Sequence, residues 1–86
     1  MKVKVTKTAG NEFSPQWVGY WAIGDLVIPL KAGSRIVIDR TNRNGVETPG
    51  EFVSSKIMDL EYYDKRTVVH TLNSTWEVEE LVDADR

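Results

Sequence analysis

The sequence contains no cysteine, only one histidine and no long apolar run. Without cysteine the chain has no disulfides, no thiolate zinc site and no cysteine nucleophile, so packing and hydrogen bonds must hold the fold. With His70 as the only imidazole, metal binding and acid–base catalysis would depend on carboxylates alone. The sequence therefore argues against an enzyme, and we predict no catalytic residue, no metal and no cofactor.

Segments that would engage a membrane are also missing. The longest uncharged apolar stretch, Trp17 to Gly24, is far shorter than the roughly 20 residues of a membrane-spanning helix. Met1 to Lys7 alternates lysine with valine, and no apolar signal-peptide region follows it. We therefore expect no transmembrane segment, no signal peptide and a cytoplasmic location.

The length and composition fit one small globular domain. With 86 residues the chain is too short for two separate cores, and 41% apolar and 28% charged residues are typical of a folded protein. The sequence predicts a single domain over residues 1–82, followed by an acidic tail over residues 83–86.

Short alternating segments, separated by turn residues, predict β-structure throughout. Period-two patterns rich in β-branched and aromatic residues indicate strands, and no apolar spacing of three and four persists. Gly24-Asp25 has the character of a tight hairpin turn. The expected strands are Lys2 to Thr8, Trp17 to Ile23, Leu26 to Leu30, Arg35 to Asp39, Glu51 to Tyr63, Arg66 to Leu72 and Thr75 to Leu81.

Two segments allow alternatives. Residues 40–50 contain Asn44-Gly45 and Pro49-Gly50, so they form either a protruding loop or a short hairpin. Glu51 to Tyr63 is a long or bent strand, with a helix as the competing interpretation. The whole pattern predicts an all-β fold, a small SH3-like or related barrel of about five to six antiparallel strands.

The aromatic residues divide between the expected core and the expected surface. Trp21 and Trp76 are predicted to fill the centre of the barrel, with Phe13 tucked beneath it. Trp17 opens its segment beside a polar loop and Tyr20 points to the face opposite Trp21. We therefore interpret Trp17 and Tyr20 as a candidate contact surface for a partner.

Charge is distributed unevenly along the chain. Residues 1–46 carry seven basic and three acidic residues, whereas residues 47–86 carry four basic and ten acidic ones. Glu77 and Glu79 belong to the acidic half and could form a negative surface that steers a protein partner. The alternative is a solvated charged face that prevents edge pairing.

A second candidate surface is basic. Arg35, Arg40 and Arg43 gather around the loop of residues 40–50, and Tyr63 could lie nearby. Arginine forks with exposed aromatic rings are how small barrels hold nucleic-acid backbones and stack bases. A solvated loop is the competing interpretation, and the net charge of −2 disfavours phosphate binding.

Two stretches carry resemblances to known families. "IGDLVIPL" resembles the Gly-Asp-x-Val entry of SH3-like barrels, where the motif leads into a strand. "SSKIMDL" followed by "VVHTLNSTWEV" resembles a pattern of small phage and prophage proteins, with a Ser-rich strand and then Thr-x-Asn-Ser-x-aromatic. This second resemblance covers about a third of the chain and implies an accessory protein of a mobile element that binds a host or phage macromolecule. It assigns a role to no individual residue.

These observations lead to a non-enzymatic binding module. The first hypothesis is a phage or mobile-element accessory or inhibitor protein that binds a host protein through an acidic and aromatic surface comprising Trp17, Tyr20, Glu77 and Glu79. The alternative is a nucleic-acid-binding barrel that uses Arg35, Arg40, Arg43 and Tyr63. We expect a monomer or a homodimer, the latter through an exposed strand edge near Pro29.

Overall fold

The computed structural model describes residues 1–14 and 16–81, which form one antiparallel sheet closed into a barrel. Neighbouring strands in sequence pair with one another, and β6 pairs with β1 to complete the barrel. The predicted all-β barrel is confirmed, whereas its likeness to SH3-like barrels stays a prediction. The expected acidic tail lies outside the described residues. The strands are β1 (Lys2–Gly10), β2 (Trp21–Leu26), β3 (Arg35–Arg43), β4 (Val46–Tyr63), β5 (Arg66–Thr71) and β6 (Ser74–Glu80).

Side chains at alternate strand positions fill the barrel, as the period-two patterns require. An aromatic layer closes one end of this core: the rings of Phe52 and Trp76 meet edge to face with centroids 5.0 Å apart, and Tyr20 packs against both. The remaining core side chains are aliphatic. They are Val3, Val5, Ala22, Ile36, Ile38, Ile57, Val69 and Val78.

The predicted hairpin turn at Gly24-Asp25 is wrong, because β2 runs straight through both residues. Gly24 serves close packing: a Cβ there would lie 2.2 Å from the carbonyl oxygen of Asp39, beside the irregularity in the β2–β3 register. The expected strand from Leu26 to Leu30 is also wrong. The chain leaves β2 at Leu26, and Pro29 lies in the irregular connection to β3.

The predicted positions of three aromatic residues are corrected. A turn in which the Tyr20 N–H donates to the Trp17 carbonyl at 3.1 Å shifts the alternation by one residue. Tyr20, expected at the surface, is therefore in the core and 6% exposed. Trp21, expected in the core, is half-buried on the outside with the Lys4 ammonium 4.6 Å from its ring centroid. Phe13 is 73% exposed and not tucked beneath the fold.

The structure decides both segments for which the sequence allowed alternatives. Asn44 and Gly45 adopt φ values of 52° and 89° and form a tight hairpin between β3 and β4, as a type I′ turn requires. The segment from Glu51 to Tyr63 is strand and not helix. β4 changes partner along its length, pairing with β3 up to Lys56 and with β5 from Ile57.

Candidate functional site

The connection between β1 and β2 is held by a buried lysine. Two backbone hydrogen bonds join Lys7 to the C-terminal end of this connection. The Lys7 N–H donates to the Tyr20 carbonyl at 2.8 Å, and the Gly19 N–H donates to the Lys7 carbonyl at 2.9 Å. The Lys7 ammonium donates to the Gln16 carbonyl and the Ser14 hydroxyl. One residue of β1 therefore fixes the connection that presents Trp17.

This lysine is an unusual anchor because it carries charge into the interior. Lys7 is 3% exposed, and burial lowers the pKa of its ammonium below the ordinary value of 10.5. No carboxylate in the described part of the chain lies within 4.0 Å of it, so neutral oxygens alone receive its hydrogen bonds. Burying an ion without a counter-ion lowers the stability of the fold. The hydrogen bonds that hold the connection offset part of this cost.

The connection and the β3–β4 hairpin enclose a cavity of about 500 Å³, which we call the Trp17 cleft. Its floor includes Tyr20 and Phe52 of the aromatic layer, and its walls come from the β1–β2 connection on one side and the hairpin on the other. The indole of Trp17 is 71% exposed at the rim. The cleft-lining residues used below are Trp17, Tyr20, Arg40, Arg43, Glu51, Phe52 and Val53.

Arg40 is fixed in the cleft by its neighbours on β4. Its Nε–H donates to the Thr48 carbonyl at 2.9 Å. Gly50 lies directly opposite Arg40 in the β3–β4 register and has a φ of 141°. A Cβ on Gly50 would lie 3.0 Å from Nη2 of Arg40, so glycine leaves the room that the guanidinium occupies.

The cleft carries uncompensated positive charge. Among residues 1–14 and 16–81, neither Arg40 nor Arg43 has a carboxylate within 4.0 Å, although Glu51 contributes to the cleft wall. Guanidinium groups bind carboxylates and phosphates through paired N–H donors. The cleft therefore combines an exposed indole with two guanidinium groups that are available to an anionic group of a ligand.

A second cavity, of about 260 Å³, adjoins the Trp17 cleft, since Gln16 and Val53 line both. Arg35 contributes to it, with Nη1 donating to the Ser54 carbonyl at 3.0 Å. The Nε1–H of Trp76, another lining residue, has no acceptor among the residues that the structure describes. Buried donors are nearly always paired, so this buried nitrogen is an exception within the core.

The predicted acidic residues lie elsewhere and have cationic neighbours. Glu77 Oε2 lies 3.4 Å from Nη1 of Arg66. Glu79 stands opposite Arg66 on β5 and Lys4 on β1 in the strand register. The Arg66 guanidinium also lies 4.9 Å from the ring centroid of Tyr63. The outer face of β6 therefore mixes both signs of charge.

The structure thus regroups the predicted site residues. Trp17, Arg40 and Arg43 belong to one cleft, Tyr20 lies in its floor, and Arg35 lines the adjoining cavity. Tyr63, Glu77 and Glu79 are brought together around Arg66 instead. The sequence did not reveal the roles of Lys7 and Gly50. Its pattern identifies Lys7 only as a strand residue and Gly50 only as a turn residue.

His70 lies outside the cleft, on β5. Its Nε2 is 2.5 Å from Oε2 of Glu61 and its Nδ1 is 3.3 Å from the Thr75 hydroxyl. The hydrogen bond with His70, together with one from the Tyr63 hydroxyl, lowers the pKa of Glu61 below its ordinary value of 4.5. Glu61, Tyr63, His70 and Thr75 thus form a hydrogen-bonded cluster on the outer face of the sheet.

No protein-family model matches this chain, and comparisons with the curated proteins and with the solved structures likewise gave no match. Within the described residues, no helix is both long and apolar enough to cross a membrane. The Trp17 cleft itself therefore carries the functional argument.

Proposed function

We propose that the protein is a non-enzymatic module that binds another protein through the Trp17 cleft. One observation carries the proposal: Trp17, whose indole is exposed, lines one cavity together with Arg40 and Arg43, and no carboxylate of the described residues lies within 4.0 Å of either guanidinium group. Tryptophan and arginine are the residues that contribute most to the energetic centres of protein interfaces. The partner would present a carboxylate beside an apolar side chain.

The chemistry of the cleft supports binding over catalysis. Glu51 is the only carboxylate among the described lining residues, and His70 is bonded to Glu61 on another strand. General acid–base catalysis usually needs two positioned groups of suitable pKa at the reacting atoms. One exposed carboxylate beside two arginines does not supply such a pair.

The surface formed by Glu77 and Glu79 is the weaker support for a protein partner. Arg66 contacts Glu77, and Lys4 and Arg66 flank Glu79 in the register, so the negative potential there is reduced. We therefore assign partner binding first to the cleft. The outer face of β6 would contribute mainly by steering.

Nucleic acid is the second candidate ligand. Arg35 lies in the cavity next to the cleft, so three arginines follow one another along this side of the barrel. Two facts weigh against it: the net charge is −2, and Tyr63, the expected stacking residue, lies beside Arg66 and outside the cleft. Binding dominated by phosphate contacts usually needs more clustered cations than these three arginines.

The biological setting is proposed from the sequence resemblance. The Ser-rich strand and the "TLNSTWEV" segment lie in β4 to β6, and their likeness to small phage and prophage proteins supports an accessory or inhibitor protein acting on a host protein in the cytoplasm. The SH3-like barrel remains part of this proposal.

Affinity capture from a bacterial lysate tests the cleft directly. The tagged protein should retain a specific partner after nuclease treatment, and Trp17→Ala should lose it. Phe13→Ala is the matched control, because Phe13 is an equally exposed aromatic residue of the same connection. Arg43→Glu should also lose the partner, whereas Lys31→Glu, an exposed charge reversal outside the cleft lining, should not.

The result divides the candidates. Loss of capture with Phe13→Ala as well as Trp17→Ala, or with neither, contradicts binding at the cleft. If nuclease removes all binding and affinity falls steeply with salt, nucleic acid is the ligand instead.

A further inference from the structure

One segment of β4 has a neighbour on only one side. β3 pairs with β4 from Val46 to Lys56, and β5 pairs with it only from Ile57. In the described chain no strand pairs with the other edge of β4 before Ile57. Glu51, Phe52 and Val53 line the Trp17 cleft along this edge, and Val53 also lines the adjoining cavity.

The register shows which backbone groups point out of that edge. The Val27 N–H donates to the Val37 carbonyl at 2.9 Å, so the backbone groups of Val37 point toward β2 and away from β4. Val53 stands opposite Val37, so it belongs to a pair that exchanges no hydrogen bonds. The N–H and C=O of Val53 therefore point away from β3.

Glu51 repeats this arrangement two positions earlier, opposite Asp39. Its backbone groups also point to the open edge, since strand geometry repeats every two residues. Among the described residues neither Glu51 nor Val53 makes a hydrogen bond on that side. Val53 is 47% exposed, so an incoming chain has access.

We infer that this edge, from Glu51 to Val53, binds an extended segment of the partner as an added β-strand, with a carboxylate of that segment on Arg40 and Arg43. The inference rests on the proposed function and specifies how the cleft recognises its partner. Strand addition supplies affinity through main-chain hydrogen bonds and specificity through side-chain pockets. The unpaired guanidinium groups beside the edge select an acidic segment by charge complementarity.

The partner's side chains would meet two different environments. A carboxylate on one face of the added strand reaches the arginines, and an apolar neighbour can rest on the Trp17 indole at the rim. Farther along the edge, the added segment would meet the second cavity, whose lining includes Arg35, Ser54 and Ser55. The two cavities adjoin along the edge from Glu51 to Val53, and we call this edge with both cavities the docking line.

A capped peptide that alternates glutamate and threonine is the probe. It should bind the protein, and hydrogen exchange of the Glu51 and Val53 amides should slow by about tenfold or more at saturation, as expected when an exposed amide gains a hydrogen bond. The same peptide with alternate backbone N-methyl groups should bind at least about tenfold more weakly, because it cannot pair with the edge. A peptide alternating lysine and threonine should not bind.

The chain offers a matched pair of variants. Val53→Pro removes the outward N–H while leaving the β3 ladder its bonds, and it should abolish peptide binding. Val53→Ala also truncates the side chain but keeps the N–H, so it should bind the peptide at least about tenfold more tightly than Val53→Pro. If Val53→Pro fails to fold, the comparison of plain and N-methylated peptides on the wild-type protein still decides.

The outcomes separate this inference from the proposed function. Equal binding of both peptides, or no binding of either, overturns strand addition, while loss of lysate capture by Trp17→Ala alone would still support the cleft. A dimer with protected Glu51 and Val53 amides in the absence of peptide overturns it in favour of a second copy of the chain. Binding of a single-stranded oligonucleotide but no peptide overturns it in favour of nucleic acid.

Discussion

Gly24 lies against Asp39 so closely that a Cβ on Gly24 would be 2.2 Å from the Asp39 carbonyl oxygen and 2.8 Å from the Cα of Arg40. Both atoms belong to the β3 backbone, so no side-chain rotation relieves the clash. Arg40 is one of the two cleft arginines, and Arg43 follows it at the end of β3. The approach of β2 to β3 therefore sets where those arginines lie.

Gly24→Ala should destabilise the barrel by about 1–3 kcal/mol, the usual cost of forcing extra atoms into a packed site. Urea unfolding followed by tryptophan fluorescence measures the free energy of unfolding. An unchanged midpoint would mean that the two strands separate freely at this point.

Gly50→Ala should impair the cleft as well as the fold. The substitution strains a backbone with a φ of 141° and places a methyl group 3.0 Å from Nη2 of Arg40. We therefore expect the free energy of unfolding to fall by about 1–3 kcal/mol and partner capture to weaken. Gly33→Ala is the control, because Gly33 has a φ of 91° but open space around it. Capture that falls equally in both variants would contradict a role for Gly50 in seating Arg40.

Lys7→Met should change how stability depends on alkaline pH. Burial depresses the pKa of Lys7 in the folded state, so the unfolded chain binds more protons just below 10.5. The free energy of unfolding of the wild type should therefore rise relative to Lys7→Met as pH increases from neutral toward that value. Parallel curves in urea titrations across this range would show that the ammonium is not desolvated.

Glu61→Gln should reduce the loss of stability in acid. Hydrogen bonds from His70 and Tyr63 depress the folded-state pKa of Glu61, so its contribution is present above 4.5 and is lost as pH falls through the lower folded value. Urea midpoints measured across acidic pH should fall less in Glu61→Gln than in the wild type. Equal falls in the two proteins would contradict a depressed pKa of Glu61 in the folded state.

The strand pattern of the sequence was sufficient for the fold class but not for the register. Alternation in β1, β3, β5 and β6 appears directly in which side chains are buried. The prediction for β2 is wrong because glycine has two structural uses. The sequence suggests a turn at Gly24, whereas this glycine permits a close approach of two backbones. Only the position of β3 distinguishes these roles, and no local pattern contains it.

The site could be foreseen only in part, for a similar reason. Arg40 and Arg43 were recognised as a basic group, and Trp17 as an exposed aromatic, but as members of two different surfaces. The turn ending at Tyr20 places Trp17 in the lining of the same cavity as the arginines. That grouping joins distant parts of the sequence, so periodicity cannot reveal it.

The last described backbone hydrogen bond of the chain, from the Leu81 N–H to the Lys2 carbonyl at 2.9 Å, places the two ends of the barrel domain side by side. They emerge where β1 begins, whereas the Trp17 cleft adjoins the connection that follows the end of β1. A tether, a label or a neighbouring domain attached at either end would thus leave the barrel from a single point. Lys2 and Leu81, the residues joined at that point, line neither the Trp17 cleft nor the adjoining cavity.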